Sequence, residues 1–168
     1  PHASYRRQRQ MCIRDSSEDD STLFVSTAGS DKLITIDADS GVVLGRVAVD
    51  ATPRGVALIS ANDGSPRQAW VLNAVENTVS LVDVSTTSNP RLVDTVVLED
   101  PTEPVIKRGR KAFETAKAST TGTFSCASCH PDGHTDQLVW VLETPIVTRG
   151  DQIQPRITMP IRGLRDTE

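Results

Sequence analysis

Cys126 and Cys129 stand three residues apart, and His130 directly follows the second thiol, in the stretch SCASCHPDGHTD (residues 125–136). Two thiols at that spacing can each add to a vinyl group on one porphyrin edge, and the imidazole that follows can reach the iron from below. The spacing therefore predicts covalently held haem c. Cys126 and Cys129 are the candidate thioether donors, and His130 is the candidate proximal axial ligand to the metal. A zinc site is the structural alternative, with Cys126, Cys129 and His134 as tetrahedral ligands and His130 as a fourth. Structural zinc sites draw ligand pairs from separate segments, and residues 17–168 hold no second Cys or His pair. A redox disulfide calls for a βαβ setting, whereas the surroundings here read as a helix and turns. A pair of buried thiols without a cofactor is the plainest reading.

Other residues could complete such a site. Met159 is the only methionine beyond residue 16, and its thioether could take the sixth iron position and raise the potential. Its ordinary role would be to fill a core gap beside Pro160. An open sixth position, or a ligand from outside this sequence, competes with it. His134 is only four residues past His130, too close to cross to the opposite haem face, and reads as an exposed turn residue. Arg162 and Arg165 suit bidentate contact with haem propionates, with a solvated loop as the alternative. Trp140 could stack near a porphyrin or serve as a core residue, and Asp132 and Asp136, on either side of Gly133, read as turn caps.

The elements that must position these residues occupy only part of the chain. Residues 6–16, RRQRQMCIRDS, match in order the in-frame translation of a transposase sequencing adapter, so residues 1–16 are set apart from the fold as non-native. A native basic arm that binds an acidic partner is the competing reading. Taking away four of the 18 basic and one of the 22 acidic side chains leaves 14 and 21, which moves the formal charge from −4 to −7. Nothing in that balance suggests nucleic acid. Cys12 and His2 fall away too, so every remaining cysteine and histidine lies between Cys126 and His134. No apolar run approaches the about 18 residues of a membrane span. The chain starts without methionine and stops at LRDTE, which reads as an internal fragment truncated at both ends.

Between Thr22 and Leu98, short β-branched runs alternate with Gly, Pro, Asn and Asp, the pattern of small antiparallel strands. LFVSTAGSDKLITIDADSG (23–41) and AWVLNAVENTVSLVDVSTT (69–87) align at an offset of 46, which pairs Val25 with Val71, Leu33 with Val79 and Asp37 with Asp83. A period in the forties with several strands per repeat points to propeller blades. Strands are expected near 22–27, 32–37, 42–49 and 54–60 in the first repeat, and near 68–73, 78–84 and 91–98 in the second. Two blades cannot close a ring of about four to eight. Asp37 and Asp83 read as turn formers, and the blades reveal no ligand. Pro101 and Pro104 then mark a boundary near residue 101, followed by a helix over 103–117.

The first half resembles YVTN-type β-propeller repeats over about residues 21–99, through LFVST, LITID and TPRGVAL. Residues 103–168 resemble the opening of the cytochrome c domain of di-haem cytochrome c peroxidases and the related methylamine-utilisation enzymes. Gly109, Arg110 and Phe113 match its helix, residues 125–133 its haem segment and Trp140 its following aromatic. Ile161, Arg162, Gly163, Leu164, Arg165, Asp166 and Thr167 match the run that leads to a His-Trp motif, which would lie past Glu168. The expected fold is thus an all-β propeller fragment of about two blades (17–100) followed by a mostly α cytochrome c-like domain (101–168). The resemblance implies electron transfer by haem c within a peroxidase-like di-haem oxidoreductase. It further implies a redox partner protein or a second haem domain downstream, in the periplasm or at the cell surface. No distal acid–base pair for peroxide chemistry can be assigned. The alternative function is a propeller that binds a partner or surface glycan, with a structural zinc or haem appendage.

Overall fold

Strands whose side chains alternate between two faces can bury one of them, and burial alternates in that way along Thr22–Thr27, Lys32–Asp37, Pro66–Asn73 and Thr78–Asp83. The computed structural model describes residues 14–141 and 155–163. Two four-stranded antiparallel sheets result, each with its strands in sequence order. The first comprises β1 (Arg14–Ser16), β2 (Thr22–Thr27), β3 (Lys32–Asp37) and β4 (Val43–Ala48). The second comprises β5 (Pro53–Ser60), β6 (Pro66–Asn73), β7 (Thr78–Asp83) and β8 (Arg91–Val97). The strand expected near 54–60 to finish the first repeat spans Pro53–Ser60 and instead pairs with β6, opening the second sheet. The outermost place in the first sheet is taken by Arg14–Ser16, which pair with Leu23–Val25. That pairing uses backbone groups, which every residue type except proline supplies in full.

The turns explain the shared architecture. Asp31 (φ 55°) and Asn77 (φ 59°) occupy the same left-handed position in the β2–β3 and β6–β7 turns, a conformation that Asp and Asn tolerate better than most residues. Asp37 accepts hydrogen bonds from the Ser40 N–H (2.8 Å) and hydroxyl (2.6 Å), and Asp83 does the same for Ser85 (3.0 and 2.6 Å). Both repeat aspartates therefore shape turns. The core lies between the sheets, where Phe24 and Leu33 of the first meet Ala69, Val71, Val82 and Val84 of the second. Full burial of a side chain such as Phe24 contributes about 1.5–3 kcal/mol. Thr35 Oγ1 adds a cross-sheet hydrogen bond to the Thr87 carbonyl at 2.6 Å.

Helix α1 (Pro104–Glu114) starts with proline at its first position, where a missing N–H costs nothing. It belongs to the same compact unit as the two sheets, which ends at Thr115. Arg54 binds Glu114 at 2.6 Å, Lys111 binds Glu76 at 2.6 Å, and Lys107 binds Asp100 at 3.0 Å. The Lys107 ammonium also donates to the Glu76 carbonyl at 2.8 Å.

The second unit begins at Ala116 and corrects the expected fold class. Ten strands in three sheets stand against two short helices among the described residues, so no mostly α cytochrome c-like domain follows the β part. The unit contains 3-10 turns at Ala116–Ala118 and Pro131–Gly133, the four-residue helix α2 (Cys126–Cys129), and a hairpin of β9 (Val139–Val141) with β10 (Pro155–Ile157). The local causes are legible. Pro131 disfavours helical geometry at His130, whose ψ is 63°. Asp132 (φ 52°) and Gly133 (φ 75°) are then both left-handed, which ends any helix there. Val139, Trp140 and Val141 carry the β-branched and aromatic side chains that favour a strand.

Candidate functional site

Ser125 starts α2 with a capping box: its hydroxyl meets the third helical residue, Ser128, whose own hydroxyl accepts the Ser125 N–H at 3.0 Å. That single turn sets Cys126 and Cys129, three residues apart, on one face. Both thiols are free; Cys126 is exposed and Cys129 half-buried. Burial, the nearby Asp136 carboxylate and the Cys126 thiol together push the Cys129 pKa above its ordinary value. Cys129 therefore stays protonated at neutral pH, the reverse of the depressed pKa that a disulfide oxidoreductase needs.

His130 closes the turn, its N–H donating to the Cys126 carbonyl at 3.0 Å. Its Nδ1 faces the His134 carbonyl oxygen at 3.3 Å. A carbonyl can only accept, so this contact favours the tautomer with the proton on Nδ1 and the lone pair on Nε2. A metal-ligating histidine is commonly oriented by such a backbone contact. His134 itself is exposed and contributes through its main chain.

Residues 155–163 run back beside this turn. The Thr135 hydroxyl donates to the Thr158 carbonyl (2.7 Å), the Thr158 N–H to Leu138 (3.3 Å) and the Ile161 N–H to Gly133 (2.9 Å). Arg162 Nε donates to the Asp132 carbonyl at 2.7 Å. Met159 lies between those anchors and is 71% exposed, so it fills no core gap. Trp140 donates its indole N–H to Asp136 Oδ2 at 2.8 Å and meets Phe124 edge-on, with ring centroids 6.3 Å apart. Sequence reasoning proposed Asp136 as a turn cap; the structure adds its bond to the tryptophan, for which an acidic residue four before an aromatic is the only signal. Arg165 lies outside the described residues.

Among the described residues, no three His, Cys, Asp or Glu side chains come together as a group able to hold a metal ion. A haem c site asks less of the chain, namely two accessible thiols on one turn and one nitrogen with a free lone pair, and Cys126, Cys129 and His130 fit that requirement. Phe124, Leu138, Val139, Ile157 and Met159 are also exposed in the same unit, with Val139 and Ile157 directly paired across the hairpin.

No family model and no curated protein matches the chain. Two solved structures are similar to part of it. Kuenenia stuttgartiensis hydrazine synthase is 25% identical with a TM-score of 0.44, the match covering 60% of this chain and 28% of that one. A putative 6-phosphogluconolactonase from Bacteroides uniformis is 14% identical with a TM-score of 0.41, over 52% of this chain and 26% of that one. The match thus spans little more than a quarter of either structure's own length. Among the described residues, no helix is long and apolar enough to cross a membrane.

Proposed function

We propose that residues 116–163 hold covalently attached haem c and that the protein transfers electrons. The observation that carries this reading is the single turn that presents Cys126 and Cys129 together while the His130 Nδ1 contact to His134 leaves Nε2 free. Each thiol would add its S–H across a vinyl double bond, forming one C–S bond and passing its hydrogen to the neighbouring carbon, with no oxidant required. His130 would hold the iron through Nε2, and the bound haem would supply one-electron chemistry. Met159, exposed on a segment anchored on both sides, is available as a sixth ligand.

The wider reading is a peroxidase-like di-haem oxidoreductase with YVTN-type propeller repeats. It would work with a redox partner protein or a second haem domain, in the periplasm or at the cell surface. Support for it comes from the Gly109–Phe113 and Ser125–Gly133 sequence resemblances and from the two four-stranded repeats.

The test is export of the chain together with a cytochrome c maturation system, followed by a denaturing gel stained for haem and an intact-mass measurement. Haem should remain on the chain through denaturation. Cys126→Ser and Cys129→Ser should weaken or abolish attachment. His130→Ala should change the spin state and potential of whatever haem is attached. A colourless band of apoprotein mass with stoichiometric zinc, obtained with active maturation machinery, would overturn the proposal.

A further inference from the structure

Asp136 is held at the cysteine turn by its main chain and its side chain together. Its N–H donates to the Cys129 carbonyl at 3.1 Å, which ties it to the end of α2. Its carboxylate accepts the Leu138 N–H through Oδ1 at 3.0 Å and the Trp140 indole N–H through Oδ2 at 2.8 Å. With a donor on each oxygen the half-buried group cannot swing out into water. Its charge is felt at the neighbouring sulfur, where it opposes ionisation of Cys129. A carboxylate is ionised at neutral pH, so the turn that presents Cys126, Cys129 and His130 carries a fixed negative charge.

The other Lys, Arg and Asp side chains described in the second unit are placed differently. Lys117, Asp132, Arg156 and Arg162 are all exposed. Charges open to water are screened, whereas a half-buried charge acts through a lower effective dielectric. Of these groups, Asp136 therefore acts most strongly on whatever the turn carries.

We propose that Asp136 sets the redox potential of haem held by this turn, keeping it low through a fixed negative charge beside Cys129; the proposal rests on the haem reading above. Ferric haem carries one more positive charge than ferrous haem, so a nearby anion stabilises the oxidised form. A purely structural role has the opposite sign. If Asp136 only capped the turn, its loss would loosen the turn and admit water to the haem, which favours the oxidised form and lowers the potential. Loss of its charge raises it.

The test is spectroelectrochemistry at neutral pH on the full chain, exported with a cytochrome c maturation system. Asp136→Asn should raise the midpoint potential with haem still attached and the spin state unchanged. Asp136→Glu, which keeps the charge, should stay near the parent. Asp136→Ser, whose hydroxyl can still accept the Leu138 N–H, replaces the Asn variant if that one attaches no haem. A haem-bearing uncharged variant with an unchanged or lowered potential would overturn the proposal and leave the haem reading intact. Failure of both uncharged variants to attach haem would overturn it too, because the residue would then serve the fold. A parent chain that matures without haem would instead remove the haem reading, and this proposal with it.

Discussion

His130 Nδ1 lies 3.3 Å from the carbonyl oxygen of His134, so the main chain four residues on orients the imidazole that follows the thiol pair. The contact depends on the tight turn between the two histidines, and the turn depends on left-handed backbone at Asp132 and Gly133.

Gly133→Ala tests that dependence. Gly133 has φ 75°, and a Cβ there would meet Arg162 Cγ at 3.2 Å. Strain at a left-handed position costs on the order of 1 kcal/mol, before the added contact is counted. The expected outcome is faster hydrogen exchange at the His134 and Ile161 amides, which donate to the Pro131 and Gly133 carbonyls. Unchanged protection at both would show that the turn does not rely on glycine.

Trp140→Phe should keep the edge contact with Phe124 and remove the hydrogen bond to Asp136. Burial pushes the Asp136 pKa up, but bonds from the Leu138 N–H, Thr158 and Trp140 outweigh it and hold the pKa below its ordinary 3.8. A depressed carboxylate stabilises the fold above its unfolded pKa, and that contribution is lost as pH falls through the folded value. Acid unfolding of the hairpin region should therefore begin at higher pH in the variant than in the parent, as followed by NMR of residues 136–141.

Helix α1 should loosen at both pH extremes. The Lys107 hydrogen bond, aided by Thr102, lowers the Asp100 pKa to about 2, and Asp100 foremost raises that of Lys107 above 10.5. The Asp100 contribution is present above pH 3.8 and fades between there and about 2. The Lys107 contribution is full below 10.5 and lost as pH rises through its higher folded value. Lys107→Met should flatten both limbs in a pH titration of α1 amide protection, leaving Arg54–Glu114 and Lys111–Glu76 to hold the helix.

Gly45→Ala should destabilise the first compact unit. The new Cβ would come within 2.5 Å of Pro90 Cδ and 2.8 Å of the Thr87 carbonyl oxygen, beside the Thr35–Thr87 hydrogen bond. Overpacking of this kind typically costs about 1–3 kcal/mol, read as a lower urea midpoint at unchanged slope. Gly41→Ala, with open space around it but φ 70°, separates backbone strain from steric conflict.

The strands over Thr22–Thr27, Lys32–Asp37 and Thr78–Asp83 were legible because β-branched residues alternate there between turn-forming aspartates and asparagines. Which sheet Pro53–Ser60 joins was not legible, because pairing depends on how the chain crosses at Thr52 (φ 59°), not on the strand's own composition. The second unit misled more deeply. Its sequence resemblance suggested helices, yet Pro131, two left-handed residues and the Val139–Val141 strand override that locally. At the site, the Cys126–His130 spacing marked the candidate donors, while the His134 carbonyl contact could not be read, since main-chain partners leave no mark on residue type.

The sequential order of strands in both sheets also bears on how quickly the chain folds. Each strand finds its partner across a short turn, so little loop-closure entropy opposes either meander, and each hairpin can form on the microsecond scale. The distant step is the meeting of the two sheets, where Thr35 reaches Thr87. Core substitutions that weaken that meeting, such as Phe24→Leu, should leave early hairpin formation nearly unchanged and slow only the final docking phase.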